Sequence, residues 1–325
     1  MSKKNAEPEE TSPPIRVLVA WRPDTSGTEA VEFAAWLART TPIRVRAVTA
    51  FTRPWPSSSL SRLGGKYKKW RRKEAAACES RVRKALSEVE LPESMWDETV
   101  SVFADGPSET AILTQAADDF DADVVLLGSH GSAPKRRFMA GSTADVLLHS
   151  SSRPLGLTPR APKLSRHGVT RINCAFIDTE NDRSFLTDAA DLAWRWGVPL
   201  RIVSFAPEGV ADSPVKSTTD LESEILVEWQ EHTLAVLDQA RDAALDRHPE
   251  ITVDTEIGSG WGWSGAVESV KWKKGDLLYL GSTLMGSLER VFIGSSTNEI
   301  LRHSRVPAII QPAHGQGAHP NTRNG

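Results

Sequence analysis

The 325-residue sequence has only two cysteines, Cys78 and Cys174, far apart and in no Cys-x-x-Cys or Cys/His spacing. That count leaves no disulfide framework and no thiolate metal site, and free thiols in a reducing compartment are expected. Long apolar runs are also missing: none approaches the ~18 residues a membrane-spanning helix needs. The opening MSKKNAEPEETSPP is polar and lacks an apolar signal core, so a cytoplasmic protein with no membrane partner is expected. Charge of one sign is not in excess: the net charge is -3, and only KYKKWRRK (66–73) resembles the basic stripe of a nucleic-acid binder. Nucleic acid is therefore not an expected partner, and that segment reads as a solvated or protein-binding helix face. Hydrolase and P-loop signatures are lacking, with no GxSxG, no GxxxxGK[ST] and no HExxH, and the chain is read as having no dinucleotide GxGxxG.

What the chain does contain is itself, twice. Setting Gly128 against Gly281 aligns two stretches without a gap at an offset of 153. Asp123 then meets Asp276, Leu127 meets Leu280, Arg137 meets Arg290, and Gly141 meets Gly294. Ser142 meets Ser295, Thr143 meets Ser296, Ser151 meets Ser304, and Pro154 meets Pro307. The period is too long for a solenoid repeat and implies two similar domains in tandem. In each half, apolar strand runs alternate with helical patterns as β-α-β-α-β-α-β-α-β, which implies a parallel sheet covered by helices on both faces. The expected domains are 14–160 and 169–313, joined by a linker at 161–168, with disordered tails at 1–13 and 314–325. Irregular insertions are expected after the second strand of each half, PSSSLSRLGGKYKK and PEGVADSPVKSTTD. Ligands of such sheets sit at the carboxyl ends of strands near the topological switch point, here the loops after the first and fourth strands.

The loop after the fourth strand reads Gly128-x2-Gly131-x9-Gly141-Ser142-Thr143 and leads into a helix. Unpaired amides at a helix start, glycines that let the backbone approach closely, and two hydroxyls together form a phosphate cradle. Lys135, Arg136 and Arg137 in the same loop carry charge suited to covering phosphates. The competing reading is structural: Gly-Ser before a helix is also an ordinary N-cap. His130 lies in this loop with no nucleophile or carboxylate near it in sequence, and reads as a loop residue.

The glycine spacing, found twice in matching β/α context and followed by RPLGL and VPAII, resembles the universal stress protein family in its tandem form. The resemblance implies two tandem doubly wound α/β domains of the UspA, adenine nucleotide alpha hydrolase-like fold, each a five-stranded parallel sheet that pairs through its last strand. One branch of that family binds ATP. An acid after the first strand reads adenine and ribose, and the glycine loop with its Ser or Thr takes the phosphates. Another branch lacks the motif and binds no nucleotide.

Carried onto this chain, the first half has the complete motif at Gly128, Gly131, Gly141, Ser142 and Thr143, but its acid is displaced. Aligning the first helices places Pro23 opposite Asp178, so Asp24 falls one position late. The second half has Asp178 well placed and retains Gly281, Gly294, Ser295 and Ser296, while Leu284 replaces the middle glycine. The first half is therefore expected to be the better binder.

The expected function is that of a stress-response regulator, not an enzyme. ATP, with or without Mg²⁺, would order the basic loop at 132–140 for an unknown protein partner. A nucleotide-free interaction module and a weak ATPase are the alternatives. The halves are expected to pack as an intramolecular pseudo-dimer, with a further homodimer open. Of eleven tryptophans, Trp36 and Trp194 are expected in the core. Trp261 and Trp263 are expected at a pocket rim or a domain contact.

Overall fold

A computed structural model describes residues 13–23, 28–53, 64–176, 180–209, 221–284, 291–292 and 295–312. The first half runs β1 (Ile15–Ala20), α1 (Glu29–Ala38), β2 (Ile43–Thr52), α2 (Gly64–Glu88), β3 (Trp96–Gly106), α3 (Glu109–Phe120), β4 (Val124–Gly128), α4 (Ser142–Leu148) and β5 (Leu155–Thr158). The second runs β6 (Arg171–Ala175), α5 (Glu180–Trp196), β7 (Leu200–Glu208), α6 (Leu221–Arg247), β8 (Val253–Trp261), α7 (Gly262–Ser269) and β9 (Asp276–Gly281). A short hairpin of β10 (Thr283–Leu284) and β11 (Val291–Phe292) follows, then α8 (Ser295–His303) and β12 (Ala308–Gln311).

The central strands are short runs of Val, Leu and Ile because both faces are covered, and Val17, Leu18 and Val19 are all fully buried. Their order is β3-β2-β1-β4-β5-β12-β9-β6-β7-β8 in one ten-stranded sheet. Within each half every pairing of this ten-stranded sheet is parallel. The halves meet antiparallel through β5 and β12, with Leu157 opposite Ala308 and Leu155 opposite Ile310. One core lies under α1, α2, α5 and α6 and the other under α3, α4, α7 and α8, and each runs unbroken across both halves. Gly156 stands at the seam because a Cβ there would come within 2.2 Å of Leu126 and 3.0 Å of Phe33.

Several repeated residues are repeated for the fold. Asp123 accepts from the Arg16 amide at 2.7 Å, while Asp276 accepts from the Arg171 guanidinium at 2.9 and 2.8 Å. Each ties the start of one strand to its neighbour. Ser151 and Ser304 close the turns before Pro154 and Pro307, Ser151 Oγ donating to the Arg153 carbonyl at 2.8 Å and Ser304 Oγ to that of Val306 at 3.2 Å. Cys78 and Cys174 are buried and form no disulfide.

Three expectations change. The insertion after β2 is not irregular from Gly64 onward: α2 begins there and takes in GGKYKK. Its cations face solvent while Tyr67 and Trp70 stack at 5.6 Å and Trp70 packs on Phe51 at 5.1 Å, an aromatic anchor that extends the helix. Trp36 is fully buried as expected, but Trp194 is 49% exposed and lies flat on His248 with ring centroids 4.8 Å apart. Trp261, 78% exposed, ends β8 at the outer edge of the sheet, far from the β5–β12 seam, which removes the domain-contact reading.

A dinucleotide spacing is present after all, as Gly260-x-Gly262-x-x-Gly265. It follows an edge strand rather than one at the switch point, and a Cβ on Gly265 would come within 2.9 Å of the Gly260 backbone. Gly260 and Gly265 serve close backbone packing, and Gly262 serves a left-handed φ of 63°. Of the expected disordered tails, only Pro13 lies within the described residues, and most of the second insertion, 210–220, lies outside them.

Candidate functional site

In the first half, successive connections leave β1 toward β2 on one side and arrive at β4 on the other. The β1–β4 boundary is therefore the switch point where a crevice opens at the carboxyl ends of a doubly wound sheet. Gly128 ends β4 there, with α1 starting on one face and α4 on the other. Gly141 is the N-cap of α4 with extended backbone, φ -81° and ψ 171°, and has no side-chain cap. A Cβ on Gly141 would meet only His130 Cδ2, at 3.5 Å, and one on Gly131 would meet nothing within 4 Å. Ser142 is exposed and Thr143 half-buried.

The loop between these glycines is already folded. The His130 amide donates to the Met139 carbonyl at 2.9 Å, and the Arg136 amide to the Arg160 carbonyl at 2.6 Å. Arg160 returns two bonds, its amide to the Arg137 carbonyl at 3.1 Å and its guanidinium to the Ala133 carbonyl at 2.9 Å. His130 Nδ1 sits 2.7 Å from Ser132 Oγ, as befits a loop residue. The expectation that ligand orders residues 132–140 is therefore corrected: backbone bonds to Arg160, just past the end of β5, order this loop without ligand.

Arg137 is corrected as well. Its guanidinium does not cover the cradle but crosses to the second half, donating to the His303 carbonyl at the end of α8 and to Glu268 on α7. Arg305 joins Glu268 from the other side at 3.1 Å. Those two donors hold the Glu268 carboxyl below its ordinary value. Sequence could not show this, because the contact exists only once the halves are joined. Arg136 adopts a left-handed φ of 61° and keeps an exposed side chain.

The hydroxyl of Thr143 is engaged rather than free. It donates to Glu109 Oε2 at 2.5 Å, and Arg22, from the loop after β1, donates to Glu109 Oε1 at 3.0 Å and also pairs with Oε2. Glu109, the first residue of α3, thus latches the loop after β1 to the start of α4. Burial pushes its carboxyl up, but the hydrogen bonds from Arg22 and Thr143 outweigh burial and hold it below the ordinary glutamate value. A depressed carboxyl contributes its stability above the unfolded-state value and loses it as pH falls through the folded value. The latch is charged at neutral pH and opens only in acid.

The two halves differ most at the ends of β4 and β9. A Cβ on Gly128 would stand 3.6 Å from Glu29 Oε2 and 3.8 Å from Glu29 Cβ, ordinary contact distances. A Cβ on Gly281 would fall 1.8 Å from the ring of Phe185, which is 2% exposed. Glu29 and Phe185 thus occupy the same place over the strand end, so the first helices align at an offset of 156 (185 minus 29), not 155. Asp178 then falls opposite Arg22. Asp24, Asp178 and Gly294 themselves lie outside the described residues. Gly281 closes on Phe185, Leu284 pairs with Val291 in the hairpin where the first half has the Gly131 turn, and Ser295 and Ser296 open α8. We expect Gly281→Ala to cost roughly 1–3 kcal/mol by overpacking the ring, while Gly128→Ala stays within about 0.5 kcal/mol. Urea unfolding of the two variants checks this, and equal costs would contradict it.

A cavity of about 1070 Å³ lies elsewhere, at the amino ends of β1, β2 and β4 and reaching Tyr279 and Ile309. Charges on its rim pair with one another, Arg16 with Asp121 at 3.0 Å and Arg46 with Asp97 at 2.6 Å. It lies at the opposite strand ends from the glycine loop.

The universal stress protein family model matches the chain twice, over residues 15–158 and 168–312. The chain belongs to the universal stress protein family. It does so in the tandem form, two family units on one polypeptide. Among curated relatives, Universal stress protein Rv2319c of Mycobacterium tuberculosis is 29% identical over 308 residues, covering 92% of this chain and all of the relative. Universal stress protein Mb2346c of Mycobacterium bovis matches to the same extent. Among solved structures, a universal stress protein from Archaeoglobus fulgidus superposes with TM-score 0.62 at 15% identity, covering 91% of this chain and 97% of that one. A functionally unknown protein from Pseudomonas aeruginosa PAO1 gives TM-score 0.53 at 13% identity, with 92% of each chain covered. At those identities the likeness is one of fold. Among the described residues no helix is long and apolar enough to cross a membrane, and no group of three or more His, Cys, Asp or Glu is placed to hold a metal ion.

Proposed function

We propose that this universal stress protein is a stress-response regulator that binds ATP or a related adenine nucleotide in its first half, and acts by binding rather than by catalysis. The observation that carries the reading is the difference at the strand ends: Gly128 faces the carboxylate of Glu29 at ordinary contact distance, whereas the apolar ring of Phe185 fills the matching place over Gly281. The residues fit a triphosphate. Gly141 is extended and uncrowded, the first amides of α4 follow it, and Arg22 and Thr143 converge on one carboxylate. An anion in the cradle takes the place of that carboxylate on Arg22 and Thr143. Mg²⁺ enters with the nucleotide, neutralising its phosphates.

Because Glu109 competes with the phosphates, Glu109→Gln is expected to tighten ATP binding roughly fivefold. Isothermal titration calorimetry reads this directly, and weaker binding would instead make Glu109 a ligand contact. The reading as a whole is tested by denaturing protein purified from cells and analysing the supernatant by mass spectrometry. Adenine nucleotide in near-stoichiometric amount is expected, and protein that neither carries nor takes up nucleotide would favour the interaction-module alternative.

A further inference from the structure

Glu29 is the first residue of α1 and only 9% exposed. Among the described residues its Oε2 is buried and has no hydrogen-bond partner. A buried carboxylate oxygen without a donor is costly and calls for a reason. The start of α1 offsets part of the charge, since unpaired amides there favour an acid, but it supplies no donor to Oε2. That atom lies against Gly128, at the mouth of the crevice and on the α1 side, opposite the Arg22–Glu109–Thr143 latch on the α3 and α4 side. Further buried polar atoms without partners among the described residues lie on the same face. One is Trp21 Nε1, just past β1. In the second half the equivalent of Glu29 is Phe185, whose ring atoms are the nearest to Gly281 among the described residues.

Building on the nucleotide reading above, we propose that Glu29 is the sugar-reading residue of the first half. Its Oε2 accepts hydrogen bonds from the vicinal hydroxyls of a ribose whose phosphates lie toward Gly141 and Thr143. The acid that faces the ligand is then on the first helix, not in the loop after β1, where Arg22 has taken the aligned place. A carboxylate is suited to the task because it accepts from both hydroxyls of a cis-diol while offering no donor of its own. A sugar lacking those hydroxyls leaves the carboxylate buried and unpaired, and that asymmetry generates selectivity. The site therefore selects ribonucleotides.

The test compares ATP with 2′,3′-dideoxy-ATP by calorimetry on the wild-type full chain and on Glu29→Gln, each with Mg²⁺ and with EDTA. Wild type is expected to bind the dideoxy analogue roughly tenfold to hundredfold more weakly than ATP, in both conditions. Glu29→Gln is expected to bind the two alike and to melt at or above the wild-type temperature, because it removes an unpaired buried charge. A purely structural Glu29 would instead lower the melting temperature and leave the ATP preference intact, and that result overturns the proposal. Equal binding of both nucleotides by wild type overturns it while leaving the phosphate reading standing. Selectivity present with Mg²⁺ and lost in EDTA reassigns Glu29 to a cation and also overturns it. No binding of ATP at all removes the nucleotide reading and this proposal together.

Discussion

Gly141→Val and Gly141→Thr are each expected to weaken ATP binding by roughly a hundredfold or more, because a branched side chain stands where the phosphates approach the first amides of α4. Neither residue meets a steric obstacle in the protein itself. The backbone there is extended, with φ -81°, and a Cβ meets only His130 at 3.5 Å. Valine is a poor N-cap and is expected to cost about 1 kcal/mol of stability. Threonine has the same shape and is a good N-cap, so it keeps the wild-type melting temperature. Loss of binding in both variants with no loss of stability in the second separates a ligand clash from damage to α4. Retained binding in both would remove the cradle from the site.

The second large effect concerns stability. Asp276→Ala is expected to destabilise the protein by roughly 3–5 kcal/mol, lowering the melting temperature by about 10 °C. Asp276 is fully buried and accepts from Arg171 Nε and Nη2 at 2.9 and 2.8 Å and from the Lys273 amide at 2.7 Å. Arg201, 3% exposed, stands 3.7 Å away and is otherwise held by Asn173 Oδ1 at 2.7 Å and Glu256 Oε2 at 2.5 Å. Removing the aspartate leaves two guanidinium groups in a low-dielectric interior with too little negative charge. The aligned Asp123 is exposed and holds one backbone amide, so Asp123→Ala is expected to cost under about 1 kcal/mol. Calorimetric melts of the two variants distinguish them, and equal losses would mean that the Arg171–Asp276–Arg201 group is not worth what its burial implies.

The sheet was legible in the sequence because its cause is local. Runs such as Val124–Leu127 and Leu277–Leu280 are apolar at every position, so both faces must be covered, and an ungapped offset of 153 carries one half onto the other. The glycine loop was legible for the same reason, since Gly128, Gly131 and Gly141 mark places where backbone must stay uncovered. What sequence did not reveal depends on contacts between distant elements. Arg137 reads as a phosphate cation until α7 and α8 bring Glu268 and His303 beside it. Glu29 reads as an ordinary acid at a helix start, and Phe185 as one more core residue, until β4 and β9 place a glycine beneath each. The one-residue error in aligning α1 with α5 arose because the polar turns before them fix no register. Only the packing over the strand ends does so. Trp194 shows the converse: its place in the first helix of its half suggested the core, but α5 turns it outward onto His248.

The most direct measurement is a crystal structure of the protein grown or soaked with ATP and Mg²⁺. The account predicts one nucleotide, over Gly128, with its phosphates against Gly141–Thr143, its ribose hydroxyls on Glu29, and Glu109 released from Thr143. The second half is predicted to be unchanged, with the Phe185 ring still on Gly281. Nucleotide bound over Gly281 alone, or nucleotide in the first half with its phosphates away from Gly141, would contradict it.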